Sequence, residues 1–305
     1  MARNLAFLLL MLFTLSPQAT EGAARSSLLS RGHWQIIATR AEGIYRIPYQ
    51  DILSRGMDPA SLRMYGSSAA PLGDFAADSD PVELQEVPLW HSGQAVYFYG
   101  EGPLTWHLNP EDGLPEHTLH PYDSRGYYYL CSRAGGKTIP MQEAPEGVAD
   151  TTIKTYDTFL VHEQDKYNLL ASGRVWAGEY FSNAAATQVI KFQTPMLDTQ
   201  APARLRVRFL NRSIAPARLE FISNQQLAGV MDLPVVAGIP NSDYVAPATG
   251  TTIFEAGGNP TEIQLTYNSL GQSGASGWLD YVQLWVRQHL RMERSPLIFR
   301  DRQSV

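Results

Sequence analysis

The single cysteine of this 305-residue chain, Cys131, is the first side chain to consider as a catalytic nucleophile. A thiol attacks as the thiolate, which requires a neighbouring base and an accessible position. Cys131 instead ends a run of tyrosines and leucine that begins at Tyr127, and this composition is typical of a half-buried strand. We therefore expect a small, buried, apolar side chain rather than a nucleophile.

Three histidines lie close together in the sequence and could bind a metal ion: His107, His117 and His120. Their spacings, ten residues and then three, match neither a pair of ligands one helical turn apart nor a zinc finger. The surrounding segment is rich in proline, asparagine and glycine, which indicates a polar loop. We assign no metal-binding residue to this pattern.

The same loop carries three carboxylates that could serve as a general acid and a general base: Glu111, Asp112 and Glu116. Such a pair works only where burial raises the pKa of one carboxyl group. A polar loop predicts solvated carboxylates instead. Asp280, near the end of the chain, could offer oxygen ligands to calcium together with nearby loops, but we assign no metal or cofactor to it.

The run from Gly271 to Gly277 alternates glycine with small residues and invites comparison with a serine nucleophile elbow. That motif places glycine two residues before and two residues after the serine, between a strand and a helix. No serine in the run meets the first condition, and the segments on both sides are predicted strands. A flexible connection is expected, so the sequence assigns no catalytic residue.

Four aromatic residues could stack on sugar rings: Trp90, Trp106, Trp176 and Tyr180. Aromatic side chains in sandwich proteins more often lie in the core. The sugar-binding interpretation rests on analogy between folds, because β-sandwiches commonly serve as carbohydrate-binding modules. It remains open as an alternative.

The elements that must position these residues are predicted to be mainly β strands. The chain has 15 tyrosines, 11 phenylalanines and 6 tryptophans, which suit pleated surfaces, and its 24 glycines and 20 prolines supply many turns. Near the start, Trp34–Ala38 and Ile44–Ile47 are expected to form a hairpin. Tyr49–Gly56 is predicted to be a short helix ended by glycine, and residues 67–80 and 100–124 are predicted loops.

From about residue 187 the pattern becomes regular, with short strands separated by Gly, Pro, Asn and Ser. Ala203–Leu210 alternates apolar residues with arginine. Its apolar residues, expected to face a core, are Leu205, Val207 and Phe209. Its arginines, expected to face water, are Arg204, Arg206 and Arg208. Glu262–Tyr267 alternates in the same way, and the spacing of the strands predicts a jelly-roll-like β-sandwich.

The first residues have the order of a secretory signal peptide: Arg3, an apolar run from Leu5 to Leu15, then mainly small residues up to Ala24. The run of 11 residues is short for a membrane span, although an uncleaved anchor is the alternative. We expect an exported mature chain without a transmembrane segment. The net charge of −6 and the lack of a basic run argue against nucleic acid as a partner.

These patterns predict a division of the chain into five parts. They are a signal peptide (1–24), an N-terminal β-rich domain (25–150), a connecting segment (151–186), a β-sandwich domain (187–290) and the start of a linker (291–305). The linker prediction rests on the last residues, which read as the start of a strand or linker into another domain.

Several phrases, taken in order, resemble the N-terminal region of the sortases of the type IX secretion system, the PorU family of the Bacteroidota. The most specific is Ser172-Gly173-Arg174-Val175-Trp176-Ala177-Gly178-Glu179-Tyr180-Phe181. The others are Gly43–Ile47, Val96–Pro103, His120–Asp123, His162-Glu163, Asn168-Leu169, Trp278–Tyr281 and Phe299–Asp301. Together they cover nearly the whole chain after the signal peptide.

The resemblance implies the non-catalytic front region of a larger surface protein. Such sortases remove the C-terminal signal domain of exported cargo at the outer-membrane surface, working with an outer-membrane barrel partner. Their catalytic part resembles the gingipain cysteine peptidases and follows the matched region. We therefore expect that this chain lacks the catalytic domain, is a fragment, and carries no active site of its own. The alternative is a complete, secreted carbohydrate-binding or adhesive β-sandwich protein.

Overall fold

A computed structural model describes residues 27–66, 84–143, 146–148, 152–169, 171 and 175–292 of the chain. The predicted signal peptide, the predicted loop at residues 67–80 and residues 293–305 of the predicted linker lie outside these ranges. Strands dominate the described residues, which confirms the mainly β fold class. No helix among them is long and apolar enough to cross a membrane.

The described residues of the first half form nine strands and one short α-helix. They are β1 (Gln35–Thr39), β2 (Gly43–Pro48), α1 (Tyr49–Ser54), β3 (Leu62–Gly66), β4 (Gln85–Val87), β5 (Trp90–His91), β6 (Ala95–Gly100), β7 (Leu104–Leu108), β8 (Pro115–Leu119) and β9 (Gly126–Ser132). Two single turns of 3-10 helix, Leu28–Ser30 and Pro59–Ser61, accompany them. The helix begins where predicted, and Gly56 follows it at φ +73°.

Strands β1 and β2 were expected to pair with each other, and this prediction is wrong. β1 pairs with β9 in the sheet β1-β9-β3-β4, whereas β2 pairs with β6 in the sheet β2-β6-β5. Ile37 of β1 and Tyr45 of β2 pack against one shared core that includes Phe98. The two strands therefore face each other across a core instead of lying side by side, because their apolar faces must be buried together.

The predicted loop at residues 100–124 contains a hairpin that the sequence analysis missed. β7 and β8 pair in antiparallel register, and the turn between them is closed by a bond of 2.8 Å from the Asn109 amide to the Leu114 carbonyl. Gly113 lies in this turn at φ +66°, a conformation that favours glycine. Polar residues occupy much of the hairpin, so hydrophobic alternation could not reveal it.

Nine further strands are formed by residues of the second half that the structure describes. They are β10 (Thr155–Glu163), β11 (Tyr180–Ser182), β12 (Thr187–Phe192), β13 (Ala203–Arg212), β14 (Ala217–Ser223), β15 (Gln226–Leu233), β16 (Ala246–Phe254), β17 (Thr261–Asn268) and β18 (Ser276–His289). β10 and β11 fall in the predicted connecting segment, yet both pair with β18.

These strands form two packed sheets, β10-β18-β13-β16 and β12-β17-β14-β15. From β12 onward the chain passes repeatedly from one sheet to the other, which is the connectivity of a jelly roll. The core between the sheets includes Leu205, Val207 and Phe209 from one side and Ile263 and Leu265 from the other, all fully buried. The alternation predicted for β13 and β17 is confirmed for these apolar residues.

The expectation that all three arginines of β13 face water is wrong for Arg206. Its residue is only 5% exposed, whereas Arg204 and Arg208 are partly exposed. The cause is the β7–β8 hairpin, which lies against this face and supplies Asp112 as the ion partner of Arg206. The same cover explains why β18 is buried along almost its whole length, on both of its faces.

Candidate functional site

The best-defined cluster of polar side chains lies where the hairpin meets the outer face of the sandwich. We call this contact the junction, formed by Asp112 and His117 of the hairpin with Glu163, Arg206 and Gln283 of the sandwich. Glu163 ends β10, Arg206 lies in the middle of β13, and Gln283 lies on β18 between them. The register of these three neighbouring strands therefore places Glu163, Arg206 and Gln283 close together.

His117 is the centre of the junction. Its side chain is 3% exposed, and its Nε2 lies 2.5 Å from Glu163 Oε2. Its Nδ1 lies 2.6 Å from Gln283 Nε2, so Nδ1 accepts from the amide and Nε2 donates to the carboxylate. The ring of Tyr281 meets the imidazole edge-on at 4.8 Å. Both ring nitrogens and the ring face are thus occupied, which suits a positioning role better than proton transfer to a ligand.

Arg206 is held by two contacts of different kinds. Its Nη2 pairs with Asp112 Oδ2, and its guanidinium carbon lies 5.2 Å from the centre of the Trp285 ring. A buried charge is tolerated only when it is paired. The side chain of Asp112 is 40% exposed, so one end of this ion pair reaches water.

A small cleft of about 220 Å³ opens beside the junction and gathers Glu116, Glu163, Asp165, Arg208 and Asp280. Burial raises the pKa of the Asp280 carboxyl to about 6, although Arg208, 3.1 Å away, lowers it in part. Burial and the charge of Glu163 also raise the pKa of Asp165. The cleft therefore gathers carboxylates, two of them with raised pKa values, and its described lining residues include no cysteine, serine or lysine.

Cys131 lies in β9, as predicted, and is 7% exposed. Burial raises the pKa of its thiol, an effect that Arg133 and Arg63 oppose only partly. Cys131 and His33 both line a cleft of about 610 Å³. Within the described part of the chain no hydrogen bond joins the thiol to a histidine, so the thiolate that a nucleophile needs is disfavoured.

The other two histidines of the predicted loop do not join His117. His107 Nε2 lies 4.0 Å from Glu116 and is half exposed, while His120 Nδ1 accepts from the backbone amides of Tyr122 and Asp123. Asp280 pairs with Arg208. In the residues that the structure describes, no group of three or more His, Cys, Asp or Glu side chains could hold a metal ion.

The four aromatic residues considered for sugar stacking lie in different places. Trp106 packs on His117 and Phe159 in the junction, and Tyr180 packs on Trp278. Trp176 lines the small cleft beside the junction. Trp90 is 36% exposed on the outer face of the sheet β2-β6-β5, in contact with Tyr97. No single aromatic platform unites the four.

The serine and glycine run at residues 271–277 connects β17 to β18, as expected. Gly271 and Gly274 adopt positive φ angles of 89° and 77°, which glycine permits. Ser276 already belongs to β18 and is buried. The run is a strand connection and contains no nucleophile elbow.

The most specific phrase of the sequence, described here from residue 175 onward, ties β11 to the sandwich. A bond of 2.7 Å runs from the Gly178 amide to the Leu279 carbonyl, and a side chain at position 178 would come within 3.0 Å of a backbone oxygen. Burial raises the pKa of Glu179, but three effects more than offset this and hold the pKa at about 2. They are the hydrogen bond with His162 at 3.0 Å, a bond to the backbone of Glu179 itself, and the charges of His162 and of Lys166, 3.3 Å away. The described part of this phrase therefore anchors β11 and the residues before it to β18.

Sequence reasoning missed Glu163, Arg206 and Gln283 as partners of His117 and Asp112. One signal was present: β18 carries bulky or aromatic residues at both odd and even positions. A strand of that kind is covered on both faces. What lies over its second face could not be read from local periodicity.

Comparisons with known proteins give an informative match among the solved structures. No family model matches the sequence, and no curated protein matches it. The crystal structure of dimeric latent PorU from Porphyromonas gingivalis matches with a TM-score of 0.74 and 25% identity, covering 92% of this chain and 26% of that chain.

Two further solved structures match more weakly. A CBM36-1 domain of a multidomain xylanase from the hindgut metagenome of Trinervitermes trinervoides has a TM-score of 0.28 and 10% identity, covering 42% of this chain and 95% of that domain. The insecticidal δ-endotoxin Cry8Ea1 from Bacillus thuringiensis has a TM-score of 0.28 and 11% identity, covering 74% of this chain and 41% of the toxin. Neither supports an argument about function. Over 92% of its length this chain resembles a region of PorU, and it spans about a quarter of the solved PorU chain.

Proposed function

We propose that this chain is the non-catalytic scaffold region of a type IX secretion system sortase, one that removes the C-terminal signal of exported cargo. The match to PorU over 92% of the chain carries the proposal. In this proposal, a gingipain-like cysteine peptidase domain in another part of the sortase cleaves the peptide. The chain contributes position and contact surfaces rather than reacting groups.

The junction supports a positioning role. A scaffold must hold its parts at a fixed distance and angle, and buried polar contacts with defined partners do so more specifically than apolar packing alone. His117 and Arg206 are each buried and each bonded across the two halves of the chain. The long strand β18 lies beneath both contacts.

The same proposal places the protein outside the cytoplasm. It is exported by its signal peptide and works at the outer-membrane surface, with the periplasm or the extracellular side as the broader range. Its partners are an outer-membrane barrel protein of the secretion system and the secreted cargo proteins.

The test uses the purified mature chain with the barrel partner and a cargo signal domain from a type IX system. We expect co-purification with the barrel partner and no cleavage of the cargo. Cleavage that disappears in Cys131→Ala would contradict the non-catalytic assignment. If the folded chain binds neither the barrel partner nor the cargo signal domain, the scaffold role is contradicted.

A second candidate is a carbohydrate-binding or adhesive protein, and one observation favours it. Trp90, Tyr97 and Tyr99 lie on the same outer face of the sheet β2-β6-β5, with the rings of Trp90 and Tyr97 5.0 Å apart. Exposed aromatic faces of this kind often mark binding surfaces. Retardation in gels containing soluble polysaccharide, lost in Trp90→Ala but not in Tyr180→Ala, would favour this candidate over the scaffold.

A further inference from the structure

A second cleft, separate from the acidic one, lies at the other side of the junction. It has a volume of about 280 Å³ and is walled by Leu114 from the hairpin and by Phe159 and Pro202 from the sandwich. Its polar lining comes from Arg204 and Trp285, together with Arg287 and Asp157, which form an ion pair with each other. This volume suits a molecule of about the size of an amino acid.

Trp285, which lines this cleft, has an unsatisfied donor. The residue is 8% exposed, and its indole Nε1 is buried without a hydrogen-bond partner in the described chain. A buried indole N–H normally donates to an acceptor, and an orphan donor costs free energy. The indole N–H can therefore donate a hydrogen bond to an acceptor that the described residues do not supply.

Arg204 brings an unpaired charge to the same place. It is directly opposite Trp285 in the register of β13 and β18, so the two side chains lie on one face as neighbours. Among the described residues no carboxylate lies within ion-pair distance of its guanidinium. Nearby, Arg206 is paired with Asp112, and Arg287 is paired with Asp157. The charge of Arg204 is therefore the one positive charge of this group without a carboxylate partner.

We propose that this cleft binds a ligand with one carboxylate and a small apolar body. Arg204 pairs with the carboxylate, and Trp285 Nε1 donates a hydrogen bond to one of its oxygens. A single excess positive charge matches a monoanion, and guanidinium and carboxylate groups are complementary in shape. The apolar side chains of Leu114, Phe159 and Pro202 account for the apolar body. The site is independent of the sortase proposal.

The test follows the indole signals of the mature chain by two-dimensional nitrogen–proton NMR during titration with N-acetyl-leucine. We expect a saturable shift of the Trp285 indole signal, assigned by its loss in Trp285→Phe. N-acetyl-leucine amide, which lacks the carboxylate, should bind at least about tenfold more weakly because the charge-assisted bonds are lost. Equal binding of acid and amide would overturn the proposal.

Variants separate the ligand site from general effects on the fold. Arg204→Gln should weaken binding about tenfold or more, and Trp285→Phe, which keeps an aromatic ring, should weaken it several-fold. Arg218→Gln is the matched control, since Arg218 pairs with Asp232 on the other sheet. Unchanged binding in Arg204→Gln, or no saturable shift in a wild-type chain with a native spectrum, would refute the site.

The source of the carboxylate is tested by a second probe. A hexapeptide ending in leucine is compared with the same peptide amidated at its end. Tighter binding of the free-ended peptide than of N-acetyl-leucine identifies a chain end as the ligand, whereas equal or weaker binding identifies a small carboxylate. Co-purification with the barrel partner is read separately in Arg204→Gln, which should leave it unchanged, so the two proposals can fail independently.

Discussion

Arg206 carries its charge at a position with little access to water, and its ion partner comes from a part of the chain 94 residues away. The ion pair is asymmetric, because Asp112 is partly exposed while Arg206 is buried. Removing the carboxylate strands a buried cation, whereas removing the arginine leaves a carboxylate that water can solvate. The two changes are therefore expected to differ in cost.

We predict that Asp112→Asn lowers the free energy of unfolding by about 2 kcal/mol, a value reduced from that of a fully buried pair because Asp112 reaches water. Arg206→Met, which removes the charge and keeps an apolar stem, should cost clearly less. Urea unfolding of both variants at pH 7.5 measures the difference. A larger loss in Arg206→Met would show that its packing on Trp285, rather than charge, dominates.

Asp280 gives a residue-scale prediction about pH. Burial raises the pKa of its carboxyl from 3.8 to about 6, so the folded state holds a proton that the unfolded state releases. Its contribution to stability is full below about pH 4 and is lost as the pH rises through 6. Asp280→Asn should therefore flatten the stability profile between pH 4 and 6 and raise stability at pH 7.5 by roughly 2 kcal/mol. An unchanged slope in urea unfolding across that window would contradict the expected burial cost.

At the scale of elements, close approach between backbones decides where the strands of the first half can lie. A side chain at Gly102, just before β7, would come within 2.6 Å of the Ala41 backbone between β1 and β2. At Gly100, the end of β6, the neighbour is a side chain instead: an added Cβ would come within 2.8 Å of the Tyr45 ring. These glycines let the turn after β1 sit directly against the start of the hairpin strand.

Gly102→Ala should lower the free energy of unfolding by about 2 kcal/mol or more, because the added methyl group meets backbone that cannot move aside. Gly43→Ala is the matched control, since no atom lies within 4 Å of the added group and its backbone is in a strand conformation. Thermal unfolding followed by circular dichroism compares the two. Equal melting temperatures would mean that the backbone at Ala41 moves away from the added methyl group without loss of stability.

At the scale of the whole molecule, β18 is the strand on which the two halves depend. It lies between β10 and β13 in the sheet and also receives β11 at its start and the hairpin on its outer face. A strand with contacts on every side transmits local loss of structure to its neighbours. The halves are thus expected to unfold as one unit.

We predict one cooperative unfolding transition for the mature chain, with tryptophan fluorescence and far-ultraviolet circular dichroism coinciding. The double variant His117→Ala with Gln283→Leu removes both bonds of the central histidine and should separate the curves into two transitions. The control is Lys191→Ala, which removes a surface ion pair away from the junction. Two transitions already present in the wild-type chain would show that the junction does not couple the halves.

Much of the second half could be predicted from the sequence. The alternation in β13 and β17 and the turn residues between strands specify which side chains face the core, because a strand has a side-chain period of two. The burial of Cys131 followed from the tyrosine-rich strand around it. The resemblance to the N-terminal region of the PorU family also rests on short sequence motifs in a fixed order, so it could be recognised without the structure.

Contacts between distant segments were decided only by the tertiary structure. Asp112 and His117 look like solvated loop residues in the sequence, since nothing local indicates that the β7–β8 hairpin lies on the sandwich. The separation of β1 from β2 into different sheets depends on partners that follow much later, β6 and β9. Local periodicity tells which face of a strand is apolar. The element that covers the opposite face is chosen by packing between segments far apart in the chain, and that choice turned Arg206 from a predicted surface residue into a buried one.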